Sequence, residues 1–201
     1  MSRPICLASA SPRRKALLAQ IGVSCQQRST DIDERPLSGE DPVAYVQRLA
    51  RAKAEACLMQ DEAVLAEQVI VAADTAVVMD GCILGKPTDE QDAMRMLDRL
   101  SGRWHRVHTG VAVLSPHGMS LCCVTTRVRM NSISRSDAQA YWASGEPLDK
   151  AGAYGIQGLG AVFIERIEGS YSAVVGLPLC ETAALLVQHG VMTFQERAGG
   201  H

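Results

Sequence analysis

The sequence predicts an α/β fold built on a mixed sheet, and three observations predict it. Gln68 to Met79, QVIVAADTAVVM, is a nearly unbroken apolar run rich in Val and Ile, the pattern of a strand buried on both faces. Strand-like and helix-like stretches alternate along the chain, the order that gives an α/β architecture. Turn signals at Asp80-Gly81 and Ser115-Pro116-His117-Gly118 join strand patterns directly, so some pairs are antiparallel hairpins.

The elements follow in order. PICLAS reads as a short buried strand leading into a helix that starts at Ser11-Pro12. Ser11 suits the N-cap, where its hydroxyl can accept a backbone N–H, and Pro12 suits the first helical position. Leu17, Leu18 and Ile21 form the apolar side, and Gly22 suits the position after the end. Val23–Arg28 reads as a strand, and STDIDERP as a polar loop. Asp41-Pro42 opens a second helix to about Met59, with Val46, Leu49, Ala50 and Ala54 on its apolar face and Arg48, Arg51 and Lys53 along it. The 68–79 strand turns at Asp80-Gly81 into CILGKP. Asp89–Leu100 is helical, with Ala93, Met96, Leu97 and Leu100 aligned. Two strands, about Arg103–Leu114 and Leu121–Ile133, precede a helix at Ser136–Ser144. A glycine-dense loop, AGAYGIQGLG, spans Ala151–Gly160. A strand at Ala161–Ile167 and a helix from about Pro178 to His189 end the fold, and residues 190–201 read as a frayed tail.

Composition narrows the function. The chain has 201 residues, 47% apolar and 21% charged, with a formal net charge of −2. No basic field is present to hold a nucleic-acid polymer. No apolar stretch reaches the ~18 residues of a membrane span. The run from Ile5 to Ala10 is too short for a signal-peptide core. The seven cysteines show no C-x-x-C and no zinc spacing, so they read as reduced thiols, mostly small buried residues, in a cytoplasmic protein.

Arg13 and Arg14 stand in the first turn of a helix, where partial positive charge already sits and cations cost roughly 0.3–1 kcal/mol each. With Ser9 and Ser11 they suggest an anion site, since helix N-termini and guanidinium forks both match phosphate oxygens. A solvated surface pair tied to acidic neighbours is the plainer alternative. Asp74 is a lone carboxylate in an apolar strand, expensive unless a metal, a base or backbone donors answer it. It is the least ordinary carboxylate of the chain, though it could simply tie down a turn. Asp31, Asp33 and Glu34 could hold Mg²⁺ or Mn²⁺ through oxygen. Taken alone they read as solvated loop. Lys53 and Lys86 could neutralise phosphate as point charges, or could be surface lysines. Glycines 152, 155, 158 and 160 permit tight turns and close approach to a ligand. Gln157 among them offers both donor and acceptor, which suits the edge of uracil or thymine better than that of guanine. The five histidines show no ligand spacing.

Taken together, LASASPRRKALL, VAADTAVV, LGKP, LSGRWHRVHTGVAV and SGEPLDKAGAYGIQGLGAVFIERIEGSYSAVVGLPL resemble the Maf family of nucleoside triphosphate pyrophosphatases, from about residue 4 to 189. KAGAYGIQG resembles the subgroup acting on dTTP and UTP. The subgroup acting on 7-methyl-GTP carries a carboxylate where Gln157 stands. The resemblance implies an inosine triphosphatase-like fold in a single domain over 1–201: an elongated mixed sheet flanked by helices, with two interleaved lobes around a cleft. It implies hydrolysis of nucleoside triphosphates to monophosphate and pyrophosphate, assisted by a divalent cation such as Mg²⁺ or Mn²⁺, as house-cleaning of nucleotide pools. By carry-over, Asp74 is the proton acceptor, and Arg13, Thr75 and Gln157 set base specificity. Ser9, Arg14, Glu34, Lys53 and Lys86 are polar pocket positions. On this reading Glu34 and Asp74 hold the metal, Arg14 the phosphates, and Lys53 and Lys86 steady the leaving pyrophosphate. The resemblance further implies a homodimer with a small-molecule nucleotide as its partner. Two alternatives stay open: a 7-methyl-GTP pyrophosphatase, and a non-catalytic nucleotide-binding regulator of septum formation.

Overall fold

A computed structural model describes residues 3–60 and 68–194. The strands are β1 (Ile5–Ala8), β2 (Cys25–Arg28), β3 (Val69–Met79), β4 (Cys82–Leu84), β5 (Trp104–Ser115), β6 (Gly118–Met130) and β7 (Ile164–Glu168). The helices are α1 (Pro12–Gln20), α2 (Pro42–Gln60), α3 (Glu90–Leu100), α4 (Arg135–Ala143), α5 (Tyr171–Val175) and α6 (Leu179–Gln188). The hydrogen-bonded strand order is β2-β1-β3-β5-β6-β7, with β4 paired to β3. β1 runs parallel to both β2 and β3, while β3–β4 and β6–β7 are antiparallel. The sheet is therefore mixed, as expected. The parallel pairs follow from the helical crossovers α1 and α2, since parallel strands cannot be joined by a tight turn.

The chain forms two compact units that interleave in sequence: Met1–Asp74, Thr109–Val124 and Gly176–His201 make the first, and Thr75–His108 with Thr125–Val175 the second.

In the first unit, β1 is buried along its whole length. A core of small residues lies against α2: Cys6, Ala8, Ala50, Ala54, Cys57, Ile70, Ala72 and Ala112. Small side chains bring the helix backbone close to the strands. At Gly110 the approach is closest, because a Cβ there would stand 2.5 Å from the Val46 carbonyl oxygen. The Cys6 and Cys57 thiols touch at 3.5 Å; their mutual hydrogen bond and burial hold the Cys6 thiol far above its ordinary value, so it stays protonated. All seven cysteines are free, yet only these two are buried. Beyond α6, Val191 and Thr193 are buried and the Phe194 N–H donates to the Ile21 carbonyl. The remainder of the expected tail, 195–201, lies outside the described residues.

In the second unit, α3 presents Ala93, Met96, Leu97 and Leu100 to a core that includes Val107, Val128, Met130, Tyr141, Tyr154 and Phe163. Asp89 caps α3 by accepting the Asp92 N–H. His105 is buried beside Tyr154, with Nε2 2.7 Å from the hydroxyl, and burial lowers its pKa to about 4. The folded state thus prefers the neutral ring. Its contribution to stability is whole above the ordinary 6.5 and is lost as pH falls from there through about 4. The loss is on the order of 3 kcal/mol at full protonation. Urea unfolding at pH 7, 5.5 and 4.5 should show the native chain losing more stability than His105→Gln. Parallel losses would contradict this account.

Two elements differ from expectation. The last strand begins at Ile164, not Ala161, because Gly158–Phe163 winds into a 3-10 helix whose Leu159 and Gly160 N–H groups donate to the Glu146 side chain rather than to a ladder. The short helix α5 is additional. Ser170 starts it, its hydroxyl accepting the Ala173 N–H while its own N–H donates to Thr126 Oγ1.

Candidate active site

β1 ends at Ala8 and the chain turns through Ser9–Ser11 into α1. The turn is tied from β2, where the Gln27 side-chain amide donates to the carbonyls of Ser9 and Ser11. Ser11 takes the N-cap backbone position but its hydroxyl makes no capping bond. The buried Ser9 Oγ accepts the Ser11 N–H at 3.2 Å and Arg14 NH1 at 3.1 Å, tying the turn to the Arg14 side chain. Arg14 Nε also donates to the Gly176 carbonyl at 2.8 Å. Burial, and less strongly Arg13, push the Arg14 pKa down, while Asp74 and Glu34 push it up. A guanidinium with this chemistry remains a cation at neutral pH. Arg14, at the cationic end of a helix, thus has a carbonyl acceptor and the charges of Asp74 and Glu34 to offset the helix field.

Asp74 closes the first unit's stretch of β3 and is only 7% exposed. Lys53, on α2, is 8% exposed. It stands on the same helical stripe as Val46, Leu49, Ala50, Ala54 and Cys57, so the packing of α2 carries an ammonium into the core. Lys53 Nζ lies 2.7 Å from Asp74 Oδ1 and 2.7 Å from Glu34 Oε1. Burial raises the Asp74 pKa above its ordinary 3.8, against the opposing pull of Lys53 and Arg14. The buried strand position, rather than the neighbouring charges, therefore decides the direction.

Glu34 differs from its acidic neighbours. Asp33 is exposed and chelated by Arg35, which contributes a bond from Nε at 2.9 Å and one from NH2 at 2.6 Å, and its pKa falls to about 2. Asp31 is exposed. Glu34 alone of the three turns to Lys53. Its loop is held by α2, where the Tyr45 hydroxyl donates to the Glu34 carbonyl at 2.8 Å. Arg48 pairs with Glu40 through Nε at 2.6 Å and NH2 at 2.7 Å. Tyr45 and Arg48 are supporting residues that the sequence reading misses. The legible signal is the glutamate eight residues before an arginine across a helix start.

Among the described residues no group of three or more His, Cys, Asp or Glu could hold a metal ion. The available set is two carboxylates sharing one cation, the Lys53 ammonium. That set fits Mg²⁺ or Mn²⁺, which take one or two protein carboxylates and complete their shell with phosphate and water.

The remaining candidates belong to the second unit. Thr75 is half-buried, directly after Asp74 in β3. Lys86 is exposed beyond β4. Gln157 is exposed in the loop between Tyr154 and the 3-10 helix of Gly158–Phe163. Sequence reasoning missed what organises that loop. Glu146 accepts the Leu159 N–H at 2.8 Å, the Gly160 N–H at 3.0 Å and the Tyr141 hydroxyl at 2.8 Å. The glycine density has a packing cause here: a Cβ on Gly158 would stand 2.5 Å from Glu146 Oε2, and one on Gly160 2.5 Å from the Tyr141 hydroxyl.

No helix among the described residues is long and apolar enough to cross a membrane. The family described as Maf-like protein matches residues 4–189. A protein of Methylobacillus flagellatus named dTTP/UTP pyrophosphatase is 54% identical over 187 residues, 93% of either chain. One of Hahella chejuensis with the same name is 48% identical over 194 residues, 96% of either chain. A solved structure, that of the Staphylococcus aureus Ham1 protein, aligns with a TM-score of 0.45 at 13% identity, covering 64% of this chain and 72% of that one. With a family match across nearly the whole chain and relatives near 50% identity, the chain belongs to the Maf family.

Proposed function

We propose that this chain is a nucleoside triphosphate pyrophosphatase that hydrolyses dTTP and UTP to the monophosphate and pyrophosphate, clearing unwanted pyrimidine triphosphates, including modified ones, from nucleotide pools. The substrate class rests on the names of relatives about half identical in sequence. The chemistry rests on one observation: a buried carboxylate, Asp74, held by a buried lysine and within electrostatic reach of the Arg14 guanidinium.

Asp74 is suited to take the proton from the attacking water. Its pKa is raised by burial, which makes its carboxylate a better proton acceptor than an exposed one. Asp74 and Glu34 would hold a divalent cation. When bound, such a cation draws charge from the phosphates and lowers the pKa of a coordinated water. Lys53, released from one of its two carboxylates, would answer charge on the departing pyrophosphate, with Lys86 in the same role. Arg14 would bind phosphate oxygens, its fork oriented by Ser9 and the Gly176 carbonyl. Arg13, Thr75 and Gln157 would select the base, with the Gln157 amide pairing a carbonyl and an N–H of thymine or uracil. The reading treats 1–201 as one functional domain and the chain as a homodimer, the latter on family resemblance alone.

The test is pyrophosphate release from dTTP, UTP, CTP, GTP and 7-methyl-GTP, with Mg²⁺, with Mn²⁺ and with EDTA. Release strongest with dTTP and UTP and abolished by EDTA is expected. Preference for 7-methyl-GTP would overturn the base reading, and nucleotide binding without any release would favour a regulator.

A further inference from the structure

The loop that carries Gln157 is anchored on both sides. Before it, the Gly155 N–H donates to the Tyr141 hydroxyl at 3.1 Å. Lys150 lays its aliphatic stem where a Cβ on Gly155 would stand, 2.9 Å away, and its ammonium donates to the Glu146 carbonyl. After it, Leu159 and Gly160 donate to the two carboxylate oxygens of Glu146, one of which also receives the Tyr141 hydroxyl. Three donors thus converge on one side chain, and Tyr141 links both anchors. These bonds outweigh the burial that would raise the Glu146 pKa, and hold its carboxyl below the ordinary value. Gln157 stands between the anchors, exposed, its amide bonded to no described residue. A side chain left exposed on a fixed backbone is well placed to read a ligand edge.

We propose that Glu146 is a positioning residue for base selection: by receiving the Leu159 and Gly160 N–H groups and the Tyr141 hydroxyl, it fixes the loop from which Gln157 reads the base. The inference rests on the assignment of Gln157 as a base reader. Glutamate is specifically required. Glutamine has one carbonyl oxygen, so whichever way its amide turns, an NH₂ faces either the Leu159 or the Gly160 N–H. Alanine-sized clearance at Gly158 and Gly160 is already gone, so the loop cannot settle against a displaced side chain without moving its backbone. A misplacement of about an ångström can cost 10²-fold in rate.

The experiment measures kcat and KM for dTTP and CTP in the whole enzyme, the Glu146→Gln and Gln157→Ala variants and the double variant. Circular dichroism melts establish that each is folded at the assay temperature. Glu146→Gln should lower the dTTP-to-CTP ratio of kcat/KM at least about tenfold, mostly through the KM for dTTP. It should lower it no further in the Gln157→Ala background, because both act through one contact. A ratio unchanged by Glu146→Gln but reduced by Gln157→Ala would overturn the inference alone. An equal fall in both backgrounds would do the same. A ratio unaffected by Gln157→Ala would overturn the base reading and the inference with it. Should Glu146→Gln not fold, Tyr141→Phe, which removes one donor to Glu146 and the acceptor for Gly155, should shift the ratio the same way by less. An unchanged ratio there would also overturn the inference.

Discussion

Asp74→Asn is expected to reduce turnover of dTTP by roughly 10²–10⁴-fold, the usual contribution of a positioned general base. Nucleotide binding measured without metal should persist or tighten. The substitution is close to isosteric, and the amide oxygen can still accept from Lys53, which also keeps Glu34 2.7 Å away. What disappears is a negative charge that would repel phosphate oxygens. Stability should move the opposite way to activity. Because burial raises the Asp74 pKa, the fold disfavours the ionised carboxylate relative to the unfolded chain. That cost is absent below the ordinary 3.8, grows as pH rises through the raised value, and is complete above it. In metal-free protein at neutral pH, Asp74→Asn should therefore melt above the native chain, with the gap closing on acidification. Turnover within tenfold of native would remove Asp74 from the chemistry, and a variant that melts lower at pH 7 would contradict the burial argument. A site that destabilises its own fold in this way is the common form of the trade between activity and stability.

Gly110→Ala should strongly destabilise the first unit. The added Cβ would lie 2.5 Å from the Val46 oxygen and 2.7 Å from the Val46 carbonyl carbon, both backbone atoms of α2. No rotamer change relieves that contact, so either the helix or the strand must shift. Overpacking of this kind costs about 3 kcal/mol at the upper end of its usual range. For a chain of this size the melting point should fall by about 6–12 °C. Activity should fall too at temperatures where the variant is folded, because α2 carries Lys53 and the contacts that hold Glu34. A melt within two degrees or so of native would show that α2 has slack against β5, and full activity would show that the Lys53 position tolerates the shift.

The candidate site was unevenly legible. Asp74 stood out because an ionisable residue in a strand of Val, Ile and Ala violates the pattern around it. Lys53 read only as one of several basic positions along α2, and its pairing with Asp74 depends on bringing residues 21 apart in sequence into contact through β3 and α2. Glu34 could not be told from Asp31 and Asp33 by spacing; the fold separates them by giving Asp33 to Arg35 and Glu34 to Lys53. The capping bond expected of Ser11 is absent, and the hydroxyl that matters is that of Ser9, on which Arg14 and the Ser11 N–H converge. The glycine-rich loop announced itself by composition, but Glu146 did not, since nothing local distinguishes a glutamate that ends up receiving three donors.

What the sequence determined by itself was the set of elements and their class. Apolar runs, helix caps, turn dipeptides and crossover lengths are local, and they sufficed for an α/β chain with a mixed sheet. They failed where a distant side chain captured backbone groups, at Gly158–Phe163, where a five-residue helix needed Thr126 to support its start, at the Ser11 cap, and at Val191 and Thr193, which pack instead of fraying. Tertiary structure alone decided which charges meet and in what state. The reason is physical: the direction of the Asp74 shift depends on how completely packing excludes water, and the Lys53 bridge depends on how closely a glycine and a row of alanines allow a helix to approach a strand.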